Sequence, residues 1–174
     1  MKNIVVLVSG GGTNLQALID AQLAGKIPNG KITCVISSNP NAYALERAKN
    51  NNIDTAVIRR KDYTSQSDYD NALVSLLNSK NAELIVLAGF MTILGADVIK
   101  AFENRIINIH PSLIPSFCGE GFYGLRVHEE ALSRGVKVTG ATAHFVNEIC
   151  DGGPIILQKA VEIHTGDTPD VLQK

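Results

Sequence analysis

The sequence predicts an α/β protein: a Rossmann-like, doubly wound, mostly parallel sheet with helices on both faces. Two observations carry this. The runs Ile4–Val8 and Leu84–Ala88 are apolar at every position, as strands covered on both sides must be. Between such runs lie segments with apolar residues at helical spacing, set off by Gly- and Asn-rich turns. Strand and helix in regular alternation build a parallel sheet between helices.

In order, Ile4–Val8 is the first strand. Leu15, Ala17, Leu18 and Ala21 recur at helical spacing and predict a helix from Asn14 to about Ala24. Lys31–Ile36 is the second strand, stopped by the turn signal Ser37-Ser38-Asn39-Pro40-Asn41. A helix over Tyr43–Asn50 and a third strand over Thr55–Ile58 follow. The polar loop Arg59–Ser67 leads to a helix from Asp68 to about Asn78. Leu84–Ala88 is the fourth strand, ended by Gly89; Thr92–Phe102 reads as a helix and Ile106–Asn108 as a short fifth strand.

After Asn108 the alternation stops. His110–Gly124, broken by Pro111, Pro115, Gly119, Gly121 and Gly124, reads as a loop, and Val127–Ser133 as a short helix. Val136–Val146 and Ile155–Ile163 are further strands on either side of the turn Asp151–Pro154. Thr168, Pro169 and Asp170 spell a helix start: an N-cap, Pro at the first helical position, an acid in the first turn. The chain stops at Lys174, about one turn later, and so short a helix is not stable alone. Residues 1–174 are therefore expected to form one domain, truncated at its C-terminus.

Composition narrows the function classes. The 174 residues hold 16 basic and 17 acidic side chains, a net charge of -1. That argues against a broad nucleic-acid surface while leaving room for a local anion site. Hydrophobic residues at 45% exclude a disordered chain. Cys34, Cys118 and Cys150 are widely spaced and odd in number, which suggests neither a disulfide framework nor a zinc site. The apolar runs are too short to cross a bilayer, and the N-terminus reads as a strand rather than a signal peptide. A cytoplasmic protein with no membrane partner is expected.

Two segments carry chemistry. Ser9-Gly10-Gly11-Gly12-Thr13-Asn14 joins the first strand to the first helix. A helix N-terminus there offers unpaired N–H groups and a positive dipole end, and glycines let an anion come close. The loop suits a mononucleotide phosphate. A ligand-free tight turn and a dinucleotide are the alternatives, although Leu15 stands where the dinucleotide fingerprint needs its third Gly.

The second segment, Asn108-Ile109-His110-Pro111-Ser112, sits at the carboxyl end of a predicted strand, where open α/β sheets bind ligands. Asn108 and His110, two apart, share a face. They are either a reactive pair or a polar strand cap. Asp151, before Gly152-Gly153-Pro154, is a further polar candidate and also a common turn former. His144, within a strand, fits a buried hydrogen-bonded residue, whereas His128 and His164 read as surface or capping residues. A carboxylate beside Cys150 raises the thiol's pKa, so a Cys nucleophile is discounted.

Four segments together match a known family: Val8–Asp20, Leu87–Leu94, Asn108–Phe117 and Thr139–Gln158. With them the chain resembles the folate-dependent formyltransferases over essentially its whole length. Asn-x-His-Pro-Ser with Asp-Gly-Gly-Pro is shared by these enzymes and their hydrolase relatives. The glycine loop resembles the branch that formylates glycinamide ribonucleotide in purine biosynthesis.

The resemblance implies that Asn108, His110 and Asp151 are catalytic and that Gly11, Gly12, Thr13 and Asn14 hold the substrate phosphate. It implies that Gly89, Ile109 and Pro111 line the ribonucleotide. The folate surface would be Phe90, Met91, Thr92, Ile93, Leu94, Asn147, Glu148 and Cys150. Thr142 and His144 would support the catalytic group. The implied co-substrate is 10-formyltetrahydrofolate, with no metal, in a monomer or homodimer. Thr92 stands where many members carry a basic residue, and Gln66 where some carry an Arg near the folate tail. A formyltetrahydrofolate hydrolase and a non-catalytic nucleotide-binding fragment are the alternative readings.

Overall fold

The structure, a computed structural model, describes residues 1–173. The expected helix end at Lys174 lies outside them. Among the described residues, seven strands and six α-helices realise the mostly parallel α/β class expected from the sequence. The chain divides into two compact units, Met1–Ile107 and Asn108–Lys174.

In the first unit, β1 (Lys2–Val8), β2 (Gly30–Ser37), β3 (Asp54–Val57) and β4 (Leu84–Leu87) lie in the order β3-β2-β1-β4. All pairings among them are parallel, with Val6 beside Val35 and Val86. The helices are α1 (Thr13–Leu23), α2 (Tyr43–Asn50), α3 (Gln66–Ser79) and α4 (Ala96–Ala101). Ile4, Val6 and Val8 join Leu15, Ile19, Leu45 and Ala48 in one cluster with α1 and α2. Val5 and Leu7, on the opposite face of β1, are fully buried as well. This two-sided burial explains why the run is apolar throughout. Each such side chain contributes about 1.5–3 kcal/mol.

Two expectations change here. The Arg59–Ser67 loop holds a 3-10 turn at Arg60–Asp62, and α3 begins at Gln66 because the Ser65 side chain caps it, accepting from Asp68 N–H at 3.0 Å. The helix expected over Thr92–Phe102 begins only at Ala96. Gly95 is extended, and its N–H donates to Asp70 Oδ1 at 3.2 Å instead of entering a helix. Tertiary partners claim this backbone ahead of its local propensity.

The second unit contains most of β5 (Ile106–His110), then α5 (Leu125–Ser133), β6 (Val138–Phe145), β7 (Ile155–Glu162) and α6 (Pro169–Leu172). β6 and β7 form an antiparallel pair. α6 starts where its signal stands, with Thr168 Oγ1 accepting from Val171 N–H. His128, expected at the surface, is 4% exposed, and its Nδ1 has no hydrogen-bond partner among the described residues. It lies on the buried side of α5 with Val127 and Ala131. Among the described residues no helix is long and apolar enough to cross a membrane.

Candidate active site

The first unit carries the glycine loop. Gly12 is the N-cap of α1, with φ of 74° and no side-chain capping bond, and no acidic residue lies in the first turn. Gln16 N–H donates to Gly12 O at 2.9 Å. The N–H groups before it have no acceptor within the helix. α3, by contrast, is closed by Ser65. The positive end of α1 is thus left uncapped by side chains, with Thr13 and Asn14 exposed at its start. Gly12 is required twice over: by its positive φ, and because a Cβ there would lie 2.7 Å from Ala44 Cβ.

The segment expected to face folate follows β4. Met91 and Ile93 are exposed, and Leu94 is buried. Met91 N–H donates to Ser9 Oγ at 2.8 Å, and Ser9 also bonds Ser38 Oγ at 2.6 Å. Gln66 Nε2 donates to Asp70 Oδ1 at 2.7 Å and to Ile93 O at 3.4 Å, and Gln66 Oε1 accepts from Arg60 Nε at 3.0 Å. The segment is therefore tied at Met91 and at Gly95 by side chains distant in sequence. The sequence places Ser9 in the glycine loop without giving its side chain a role, and Asp70 reads as one more polar residue on a helix.

In the second unit Asn108, His110, His144 and Asp151 come together. Asp151 Oδ1 accepts from Asn108 Nδ2 at 3.3 Å and lies 3.6 Å from His144 Nε2. Asp151 Oδ2 accepts from Gly119 N–H at 3.0 Å and lies 3.3 Å from His110 Nδ1. His110 Nε2 lies 2.7 Å from Phe117 O. Both its ring nitrogens face oxygen atoms. Asn108 Nδ2 is also 3.3 Å from His144 Nε2, while His144 Nδ1 is 2.9 Å from Phe145 O.

Local structure aims these groups. Asn108 and His110 alternate along β5, with Ile109 between them. Asp151 sits in a tight turn at φ of 52°, followed by Gly153, where a Cβ would lie 1.7 Å from Phe145 O. Thr142, fully buried, donates to Ser112 O at 2.7 Å and accepts from Ile114 N–H at 3.1 Å and Gln158 Nε2 at 3.0 Å. Ser112 Oγ in turn donates to Ser116 O at 2.5 Å and Phe117 O at 3.3 Å. These bonds hold the chain after Pro111 over His110. Asn147 Oδ1 accepts from Ile149 N–H at 3.0 Å, and Glu148 and Cys150 are exposed beside it. Among the described residues no group of three His, Cys, Asp or Glu is placed to hold a metal.

Electrostatics follow from these contacts. Burial pushes the His144 pKa down, but the hydrogen bond to Asp151 and the Phe145 carbonyl outweigh it and raise it above the usual 6.5. Burial pushes Asp151 up, but His144, the Gly119 N–H and the His110 charge hold its carboxyl below the usual 3.8. Burial raises the Cys150 thiol, and Asp151 raises it further. For His128, burial and the His110 charge lower the pKa and favour a neutral ring.

These shifts make stability depend on pH. The His144 contribution is fully present below 6.5 and is lost as pH rises through its raised folded value. The Asp151 contribution is present above 3.8 and is lost as pH falls through its lowered folded value. The pair stabilises the fold most between these two unfolded-state values. Denaturant titrations over pH 3–9 should show stability falling on both sides of that window. A profile left unchanged by Asp151→Asn would refute the assignment.

Residues 2–174 match the formyl transferase family. The chain is 46% identical over 168 residues to the phosphoribosylglycinamide formyltransferase of Haemophilus influenzae, covering 97% of this chain and 76% of that protein. It is 43% identical over 173 residues to the trifunctional purine biosynthetic protein adenosine-3 of Gallus gallus, covering 98% of this chain and 16% of that one. The crystal structure of glycinamide ribonucleotide transformylase 1 from Symbiobacterium toebii superposes with a TM-score of 0.92 at 44% identity, over 99% of this chain and 79% of the other. The chain belongs to the formyl transferase family.

Proposed function

We propose that the chain transfers the formyl group of 10-formyltetrahydrofolate to the primary amine of glycinamide ribonucleotide, a step of de novo purine biosynthesis in the cytoplasm. The observation that carries this reading is the contact of Asn108 and His110 with Asp151, each at 3.3 Å. The amine attacks the formyl carbon, a C–N bond forms, and the carbonyl electron pair moves onto oxygen. Asn108 and protonated His110, exchanging Phe117 O for the oxyanion, stabilise that charge as donors. Asp151, in contact with His110 Nδ1, passes the amine proton, directly or through water, towards the folate nitrogen. The bond from that nitrogen to carbon then breaks, leaving tetrahydrofolate and the formylated amine.

In this reading Gly11, Gly12, Thr13 and Asn14 bind the phosphate, and Gly89, Ile109 and Pro111 contact the ribonucleotide. Phe90, Met91, Thr92, Ile93 and Leu94, with Asn147, Glu148 and Cys150, receive the folate. Thr142 and His144 hold the catalytic group in place. The uncapped end of α1 supports a phosphate ligand, and the exposed Met91 and Ile93 support an aromatic one. Incubation with both substrates tests the reading, with formylated ribonucleotide and tetrahydrofolate expected in equal amounts. Folate consumed by water without formylated ribonucleotide points instead to a hydrolase, and ribonucleotide bound without turnover to a binding module.

A further inference from the structure

The three carbonyls of the glycine loop all have donors. Gly10 O accepts from Ala44 N–H at 3.1 Å, and Gly12 O from Gln16 N–H at 2.9 Å. The middle carbonyl, Gly11 O, accepts from a side chain, Arg47 Nε, at 2.8 Å. Arg47 comes from α2 and is itself held in place. Its Nη1 donates to Gln16 Oε1 at 3.1 Å, and its guanidinium carbon lies 5.0 Å from the centre of the Tyr43 ring. Arg47 thus links the loop, the first turn of α1 and the aromatic ring of its own helix.

The consequence is directional. A peptide unit whose carbonyl is drawn one way points its N–H the other way. Among the described residues, and apart from chain neighbours, no atom lies within 4 Å of where a Cβ of Gly10 or Gly11 would be, so no packing restrains that stretch from the side-chain direction. Glycine is the residue most free to rotate, and a loop of three needs an outside restraint to keep its N–H groups converged. The ordering is built into the free protein and need not be supplied by binding energy. The fixed guanidinium also adds positive charge beside the helix end, where a phosphate is favoured.

We infer that Arg47 is a positioning residue for the substrate phosphate: by holding Gly11 O it orients the loop N–H groups and sets the preference for a phosphorylated over an unphosphorylated substrate. This rests on the proposed ribonucleotide reading. A merely structural role would stabilise α2 against α1 and affect all substrates alike.

Arg47→Met and Arg47→Lys separate the two. Kinetics with glycinamide ribonucleotide and with its dephosphorylated riboside give the preference for phosphate as a ratio of kcat/KM values. In Arg47→Met that ratio is expected to fall about tenfold, equivalent to ~1.4 kcal/mol, with kcat and the KM for folate little changed. Arg47→Lys keeps the charge and a single donor nitrogen but not the fork, and should fall between. An equal loss for both substrates, or no loss, overturns the inference. Calorimetric titration of both variants with the ribonucleotide needs no turnover and reads the same loss of affinity. Binding that weakens while no formyl is transferred would therefore uphold Arg47 and sink the transferase reading; unchanged binding sinks Arg47 alone.

Discussion

Asp151→Asn is expected to lower formyl-transfer turnover by about 10²–10⁴-fold, the range of a lost acid–base group, while leaving ribonucleotide affinity nearly unchanged. Both carboxylate oxygens face hydrogen-bonding groups. Oδ1 meets Asn108 Nδ2 and His144, and Oδ2 meets the Gly119 N–H and His110. An amide keeps the shape but has one accepting oxygen. Its NH2 group then points at a pair of donors, and the negative charge facing His110 is gone. Each buried donor left without a partner costs about 1–3 kcal/mol, so a drop in stability should accompany the lost turnover. Steady-state kinetics, ribonucleotide titration and denaturation of one preparation check all three. Turnover and affinity falling together would instead make Asp151 a turn residue.

Gly12→Ala should have the next largest effect. A left-handed backbone costs a non-glycine residue about 1–2 kcal/mol, and here the new methyl would also stand 2.8 Å from Ala44 Cα. The backbone of α2 cannot yield as a flexible side chain would, so the loop must move. Unfolding should shift by at least that amount, and the KM for ribonucleotide should rise about tenfold or more. Gly10→Ala is the control, because its methyl meets nothing within 4 Å. It should leave stability close to wild type. If Gly12→Ala binds the ribonucleotide as wild type does, Gly12 is a packing residue and not part of the phosphate loop.

Different parts of the fold were legible to different degrees. α2 occupies Tyr43–Asn50 as its apolar spacing requires, and α6 starts at its Thr-Pro-Asp signal. In both, short-range patterning and capping agree with the tertiary structure. The stretch after Gly89 misled for the opposite reason. Thr92–Phe102 has helical spacing, but Ser9 and Asp70 take the amides of Met91 and Gly95 from the far side of the sequence. His128 looked like a surface residue because its neighbours Arg126, Glu129 and Glu130 are charged. Its own direction on α5 is inward.

The candidate site divides along the same line. The glycine loop and the Asn108–His110 pair are local patterns, a strand-to-helix turn and an alternation of two, so residue spacing alone identified them. Asp151 alone looked like a turn former, and only the family resemblance joined it to them. What makes it a partner is the closing of the turn after β6, which carries its carboxylate across a separation of 43 residues to Asn108. His144 is alike: a buried strand histidine by its neighbours, and a neighbour of Asp151 by geometry. Backbone contributions such as Phe117 O and Gly119 N–H leave no mark in side-chain identity, and the grip of Arg47 on Gly11 O spans 36 residues. The sequence by itself determined the α/β order, the uncapped glycine turn and the Asn–His pair, because periodicity and local hydrogen bonding act within a few residues. Which donors meet which acceptors was decided by the tertiary structure, because a buried polar group is stabilised only by the partner that packing brings within about 3 Å.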